Sequence, residues 1–256
     1  MAEGRTVQFS KGNLQHIPLT GNWRFAENQY DYIGAGNANI SQNYNGWIDL
    51  FGWGTSGWET GANAYQPWAT SQTRSDYYPG GSYENSLTGD YANADWGIYN
   101  RIENGGTVGM WRTLTNDEWD YLLNMRSAST VGVYENAWYA KATVNGVAGL
   151  IILPDSFTMP SGVTALDKVN VSEAVFTANV YTTADWAKLE AAGVVFLPAA
   201  GYRSGTEVGD VGTFGGYWSS TYYDESDARD VTFGSDYLYV NIYDRYYGQS
   251  VRLVKD

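Results

Sequence analysis

A group of four carboxylates near the C-terminal end has the side chains for chemistry: Asp224, Glu225, Asp227 and Asp230. Ca²⁺ takes several oxygen ligands, so such a group could hold a calcium ion, although its spacing departs from that of the EF-hand loop. Glycoside hydrolysis by two carboxyl groups also stays open, because their separation is set in space and not in sequence. We predict instead a solvated acidic loop that faces a ligand and holds no metal.

The rest of the chain offers little for catalysis. It has no cysteine, which excludes thiolate nucleophiles, disulfides and Cys-ligated metals and leaves the redox compartment open. The single histidine, His16, precedes Ile17 and Pro18, and we predict an ordinary surface or turn residue. No glycine-rich phosphate loop runs into Lys-Ser/Thr, and residues 34–36 (GAG) are too short for a dinucleotide fingerprint. We therefore predict no catalytic residue and no cofactor.

Tyrosine gives the positive signal. Eight of the 22 tyrosines fall between Tyr217 and Tyr247, with Ser, Asp, Asn and Gly between them. This is the composition of antibody paratopes, where Tyr supplies contact area at low entropic cost and small polar residues adapt their hydrogen bonds. The segment predicts a binding surface at about residues 217–247. Two alternatives stay open: the tyrosines pair across strands and stabilise the sheet, or they form a subunit contact in a homo-oligomer.

A predicted strand positions the tyrosines. Along Asp236–Tyr243, the apolar residues Leu238, Val240 and Ile242 alternate with aromatic and polar ones, which is typical of a half-buried strand. We predict a turn at 234–235 and further strands near 231–233 and 251–253. The outward residues predicted to bind the ligand are Tyr222, Tyr223, Asp224, Ser226, Asp227, Asp230, Ser235, Asp236, Tyr237, Tyr239, Asn241, Tyr243, Asp244, Tyr246 and Tyr247.

Two helices and several short strands are predicted elsewhere. Thr115 and Glu118 have the spacing of a capping box, so a helix should run from there to about Arg126. A second helix should begin at Thr182 or Thr183 and end before Gly193. Apolar runs predict buried strands at 149–154 and 194–198, and short strands should fill 5–34.

Residues 34–108 are irregular and rich in Gly, Asn, Ser and Tyr. Loops this long are rare unless packing orders them or they carry function. We expect the tryptophans in this region to pin the loops from the core, while a minority could line a sugar-stacking site. They are Trp47, Trp53, Trp58, Trp68 and Trp96.

Composition bounds the class of protein. The chain has 256 residues, 43% of them hydrophobic and 17% charged, which suits one domain with many loops. The net charge of -13 favours solubility and disfavours nucleic acid and anionic membrane as partners. No apolar run is long enough to span a membrane. The first five residues (MAEGR) have no apolar leader, so no signal peptide is predicted.

Several motifs resemble the formylglycine-generating-enzyme type of C-type lectin fold. WRTLTNDEW at 111–119 is similar to its R-L-P-T-x-x-E-W segment. GYWSST at 216–221 and GQSVRLV at 248–254 are similar to its closing W-S-S-T and G-x-S-V-R-L-V motifs, and they bracket the tyrosines. With VQFSKGNLQ at 7–15 and DLFGWG at 49–54, the resemblance covers nearly the whole chain.

The residues depart from the enzymes of that fold. Formylglycine-generating enzymes use cysteines, and this chain has no cysteine. Related sulfoxide synthases use several histidines, and this chain has one. The E-P-N and Q-P-D sugar motifs of animal C-type lectins are absent too. The remaining branch is the variable proteins of diversity-generating retroelements, as in gut Bacteroidetes and their phages. That resemblance implies an invariant scaffold whose surface is varied by mutation of adenines, often in AAY codons. All the predicted outward residues fit the set such codons give, and Glu225 does not.

The sequence and the resemblance together predict an α+β, C-type-lectin-like fold in one domain, 1–256. Two helices should pack on a small twisted antiparallel sheet with long Trp-rich loops. The predicted function is non-enzymatic binding of a protein or glycan on a bacterial surface, from a phage tail. The alternatives are a bacterial surface adhesin or lipoprotein module whose export signal has been removed and, third, a carbohydrate-active enzyme.

Overall fold

Fourteen short strands and three α-helices form the regular structure of residues 6–59 and 65–256, the part of the chain that the computed structural model describes. The strands are β1 Gln8–Phe9, β2 Leu14–Ile17, β3 Asn22–Phe25, β4 Arg112–Thr113, β5 Tyr139–Val144, β6 Val147–Ile152, β7 Val180–Tyr181, β8 Val195–Pro198, β9 Tyr202–Ser204, β10 Glu207–Gly209, β11 Gly215–Tyr222, β12 Asp227–Phe233, β13 Leu238–Asp244 and β14 Leu253–Lys255. The helices are α1 Trp96–Tyr99, α2 Asn116–Asp120 and α3 Thr183–Ala191. The N-terminal five residues, for which no leader is predicted, lie outside the described residues.

The strands of the described residues form five small sheets, with orders β7-β5-β6-β8, β1-β14-β4, β11-β12-β13, β2-β3 and β9-β10. Few helices and several small sheets agree with the predicted α+β class, but the prediction of one small antiparallel sheet is wrong: residues 6–59 and 65–256 form five sheets, and β5 and β7 pair in parallel. Tight turns divide the short strands. One is Asn145-Gly146 between β5 and β6, where both residues have positive φ, 50° and 80°, as a two-residue hairpin turn requires.

Both predicted helices are confirmed with their caps. Thr115 Oγ1 accepts a hydrogen bond from Glu118 N at 3.2 Å, and the Glu118 side chain accepts one from Thr115 N at 2.9 Å. The chain continues from α2 through a π-helical turn, Tyr121–Met125. Thr182 caps α3 in the same way, and Gly193 follows it with φ 87°. The one-turn helix α1 was not predicted.

The tryptophans of the irregular segment hold it to the core. Trp53 and Trp96 are fully buried, and Trp58 and Trp68 pack against the same cluster. Trp53 Nε1 donates a hydrogen bond to the carbonyl of Ser219 at 2.8 Å, so the loop is fixed to strand β11. The predicted core role is confirmed for Trp53, Trp58, Trp68 and Trp96, and none of the five is exposed. Trp47 is half-buried outside that cluster, and the Arg24 guanidinium lies over its ring.

His16 lies in the interior, so its prediction as a surface or turn residue is wrong. It is 2% exposed on β2, and its ring centroid is 4.2 Å from that of Trp23. Burial lowers the pKa of His16 to about 3, which keeps the imidazole neutral. The loop that contains Trp68 packs over His16, and the sequence alone did not predict this cover.

The sheet β11-β12-β13 lies between two hydrophobic clusters. Tyr217, Val231 and Phe233 belong to the cluster on one face, together with Trp119 of α2. Trp218 and Ala228 belong to the cluster on the other. Because both faces are covered over β11 and β12, only β13, at the end of the sheet order, has room for an open surface.

Candidate ligand-binding surface

Strand β13 alternates as predicted between packed and open residues. Leu238 and Val240 pack against the cluster that contains Val231. On the other face, Tyr239 is 58% exposed and Asn241 is also exposed. The register explains the arrangement, because Val240 lies opposite Val231 while Tyr239 lies opposite Thr232. The predicted turn is confirmed as well: Gly234 N donates to Tyr237 O at 3.1 Å.

Tyr237 and Tyr239 form a stacked pair at the turn end of β13. Their ring centroids are 5.7 Å apart and the planes differ by 8°. The glycine at 234 makes room for this, since a Cβ there would lie 2.5 Å from the Tyr237 ring. Two adjacent phenols held in a stack present a flat, rigid contact area, which is the property that makes tyrosine effective in binding surfaces.

A second aromatic group occupies the other end of β13. Tyr243 meets the Tyr247 ring edge-on at 4.8 Å, and Tyr246 stacks on Tyr247 at 4.8 Å. Tyr202 and Phe214 extend the group: Tyr202 is 5.5 Å from Tyr247, and Phe214 is 6.0 Å from Tyr243. Tyr243, Tyr246 and Tyr247 are each half-buried, and burial raises the pKa of Tyr246 to about 12. This end is therefore more tightly packed than the Tyr237–Tyr239 pair.

In the acidic turn between β11 and β12, the carboxylate of Asp224 makes internal hydrogen bonds. Asp224 Oδ1 accepts hydrogen bonds from Ser226 N and Asp227 N, both at 2.8 Å. The buried Arg245 donates to the carbonyls of Asp224 and Tyr83, each at 2.7 Å. The Arg245 guanidinium also lies 4.6 Å from the centroid of the buried Trp53 ring. Asp224 is only half-exposed, so the turn is fastened to the scaffold and is less solvated than predicted.

Asp227 and Asp244 lie directly opposite each other on neighbouring strands. Arg74 Nε binds Asp244 Oδ1 at 2.6 Å and offsets part of their repulsion. Burial, followed by the charges of Asp244 and Asp224, raises the pKa of Asp227 above its ordinary value. Within residues 6–59 and 65–256, no three His, Cys, Asp or Glu side chains are grouped as a metal site would need.

Asp230 was predicted on the outer face, and that placement is wrong. Its side chain is fully buried between the sheet and the cluster that contains Trp218. Gln249 Nε2 donates to Asp230 Oδ2 at 2.9 Å, while Oδ1 has no hydrogen-bond partner. Burial raises the pKa of Asp230 to about 7. The alternation of β12 does point the residue to the tyrosine side, but the segment ending in Gln249 covers it there.

The other predicted residues differ in exposure. Those that are exposed are Tyr223, Ser235, Asp236, Tyr239 and Asn241. Those that are half-buried are Tyr222, Asp224, Ser226, Asp227, Tyr237, Tyr243, Asp244, Tyr246 and Tyr247. We use "tyrosine surface" for Tyr237, Tyr239, Asn241, Tyr243, Tyr246 and Tyr247 together.

Sequence reasoning missed three side chains that border the tyrosine surface. Tyr202 and Phe214 extend its second aromatic group, and Arg74 binds Asp244. Arg74 is 170 residues from Asp244 in sequence. Only the tertiary fold brings Arg74 to this surface. Tyr202 and Phe214 lie close in sequence to residues 217–247, so their aromatic side chains were a signal that they could join the surface.

A cavity of about 520 Å³ lies elsewhere, between β1, the turn after α2 and the end of α3. Phe9, Leu122, Ile152 and Val194 line it together with polar residues, and none of the predicted binding residues contributes to it. No helix among the described residues is long and apolar enough to cross a membrane.

Comparison with known proteins adds one partial match. Residues 163–254, less than half of the chain, are similar to a domain of unknown function (DUF8237). The matched segment includes α3, the sheet β11-β12-β13 and the whole tyrosine surface. No curated protein and no solved structure matches the chain.

Proposed function

We propose that this chain is a non-enzymatic ligand-binding protein of C-type-lectin-like fold that binds through the tyrosine surface. The observation that carries the proposal is the stacked pair Tyr237 and Tyr239 beside exposed Asn241, on a strand whose other face packs into the core. Aromatic anchors on a rigid support are the usual source of binding energy in protein interfaces. Exposed aromatic residues grouped on one face point to a partner.

The ligand in this proposal is a protein or glycan on a bacterial surface. The chain is a variable protein of a diversity-generating retroelement, carried on a phage tail; the alternative setting is the bacterial cell surface. The alternation along β13 supports diversification by a retroelement, because Leu238 and Val240 are packed whereas Tyr239 and Asn241 are open. Substitutions at the open positions leave the core intact. The fit of these open residues to AAY-derived codons agrees with the same reading.

Binding to intact cells of gut Bacteroidetes strains, measured by flow cytometry with labelled protein, tests the binding role. Tyr237→Ala with Tyr239→Ala should weaken binding to a recognised strain at least about tenfold, since hot-spot aromatics contribute about 2 kcal/mol or more. The matched control is Tyr99→Ala, an exposed tyrosine of α1 that is 39% exposed. Equal binding by the double variant and the Tyr99→Ala control would contradict the proposal. So would a wild-type protein that binds none of the strains.

Sequencing of the gene's 3′ end in natural populations tests the diversification. Adenine substitutions should concentrate at codons 237, 239 and 241, and spare those of Leu238 and Val240. They should also spare Asp230, which is buried. A uniform segment would remove the retroelement from the proposal and leave a binding module with a fixed ligand.

A further inference from the structure

The outer edge of strand β13 is free. The strand ends the sheet order β11-β12-β13, and across residues 6–59 and 65–256 no backbone hydrogen bond joins this edge to another segment. Its seven residues extend over roughly 24 Å at about 3.4 Å per residue. This length is enough to pair with a strand of similar size.

The hydrogen bonds at the two ends of β13 identify the free groups. Gly234 N donates to Tyr237 O at 3.1 Å, and Arg245 N donates to Ser226 O at 3.2 Å. Hydrogen-bonded pairs alternate along an antiparallel ladder, so residues 239, 241 and 243 direct their backbone groups to β12. Residues 238, 240 and 242 direct their N–H and C=O groups away from the sheet.

This edge lacks the features that usually prevent pairing. Natural edge strands carry Lys, Pro or a bulge, or are very short. Strand β13 (LYVNIYD) has neither Lys nor Pro, and its register with β12 is continuous over all seven pairs. The bulge in this sheet lies in β11, at the covered side. An unprotected edge beside a binding surface suits recognition by strand addition.

The charges beside the edge indicate which strand it accepts. Exposed Asp236 and Asp210 lie near one end of β13, and their charges act on Tyr237. At the other end lie Asp224, Asp227 and Asp244, whose charges Arg74 and Arg245 offset only in part. The whole chain carries a net charge of -13. A partner strand with cationic side chains is complementary to this setting.

A second copy of the chain is a poorer occupant. When two β13 strands overlap antiparallel over most of their length, Asp236 of one copy lies within two residues of Asp244 of the other, at both ends of the pair. Like charges facing each other across strands are destabilising. Two chains of net charge -13 also repel each other at long range.

We propose that the outer edge of β13 takes up an extended polypeptide segment bearing lysine or arginine, which adds to the sheet as a fourth strand. Its side chains would alternate between the tyrosine surface and the row of Leu238, Val240 and Ile242. This inference rests on the proposed function and narrows its ligand to a protein with an exposed basic strand.

The probe is a bead-displayed library of eight-residue peptides in which lysine alternates with varied residues. A selected peptide should slow amide hydrogen exchange at residues 238, 240 and 242, measured by NMR. The amides of 239, 241 and 243 should be slow already in the free protein. The same peptide with glutamate for lysine should bind at least tenfold more weakly.

The matched variants separate the edge from the tyrosines. Val240→Pro removes an outward donor and no bond to β12, so it should weaken the peptide at least tenfold while circular dichroism confirms folding. If Val240→Pro does not fold, amide hydrogen exchange in the wild-type protein with bound peptide still decides the test. The inference is overturned if the library yields no binder, if a bound peptide leaves the outward amides fast, or if sedimentation shows a dimer whose formation protects them.

Two outcomes separate strand addition at β13 from ligand binding by the tyrosine surface. If the Tyr237→Ala and Tyr239→Ala changes abolish cell binding but no peptide slows the edge amides, the binding role stands and the strand addition is wrong. If a peptide protects the edge amides and the tyrosine changes leave its affinity unaltered, the edge is a site and the tyrosine surface is not its partner.

Discussion

Two hairpins share strand β12 and have opposite characters. In the β11–β12 hairpin, Trp218 and Tyr217 are buried on opposite faces and the turn is fastened by Arg245. In the β12–β13 hairpin, one face of β13 is open at Tyr239 and Asn241. Strand β12 thus joins a buried scaffold to an open surface, because its neighbour β11 is covered on both faces and its neighbour β13 is open on one.

The largest effect should come from Trp218→Ala. The indole is fully buried and donates from Nε1 to the carbonyl of Phe51 at 2.7 Å. Its loss leaves a cavity and an unpaired acceptor, so the free energy of unfolding should fall by about 3–5 kcal/mol. Urea denaturation followed by circular dichroism measures this change. A loss below about 1 kcal/mol would show that the β11–β12 hairpin is not the rigid member of the two.

Asp230→Asn should stabilise the protein in a pH-dependent way. The pKa of Asp230 is about 7 in the folded protein and 3.8 ordinarily. Its favourable contribution is therefore complete below about pH 3.8 and is lost as the pH rises through 7. A neutral amide avoids that loss, so the variant should match the wild type at pH 4 and exceed it at pH 8 by on the order of 1–3 kcal/mol.

Urea denaturation of both proteins at the two pH values gives the comparison for Asp230. A variant that is less stable than the wild type at pH 8 would mean that the buried carboxylate has a cationic partner there.

Replacing Tyr237 and Tyr239 with Ala should cost little stability. The pair stacks on itself, and Tyr239 is mostly exposed. Loss of an aromatic pair is worth about 1 kcal/mol, so the denaturation midpoint should move only slightly. A loss as large as that of Trp218→Ala would assign the tyrosines to the scaffold and remove the contrast between the hairpins.

The smallest effect should follow Gly234→Ala. The new Cβ would meet the ring of Tyr237 at 2.5 Å, and that ring can swing away. Stability should change by less than about 1 kcal/mol, while nuclear Overhauser contacts between the rings of Tyr237 and Tyr239 should weaken. Unchanged contacts would show that another part of the structure holds the stack.

The local elements were readable from the sequence because their signals are local. Thr115 with Glu118, Thr182 before α3 and the alternation of Leu238 and Val240 each depend on residues a few positions apart. The predicted outward direction of Tyr239 and Asn241 follows from the same period of two. These features need no knowledge of the tertiary fold.

The errors arose where distant segments cover a face. Asp230 has the right direction for the tyrosine surface, but Gln249 covers it, and His16 is enclosed by Trp23 and Trp68. The number of sheets and the role of Arg74 also depend on long-range pairing. Periodicity in one strand tells which side a residue faces, but not whether another segment lies over that side.

The enclosed tryptophans and the outward tyrosine pair give the protein two optical reporters. Trp53, Trp96, Trp119 and Trp218 are fully enclosed, so their emission follows the integrity of the interior. Tyr237 and Tyr239 stand at the outside, so ultraviolet difference absorption of tyrosine follows events there. An encounter that changes the phenol spectrum and leaves the indole emission constant would register at the periphery alone, without any label.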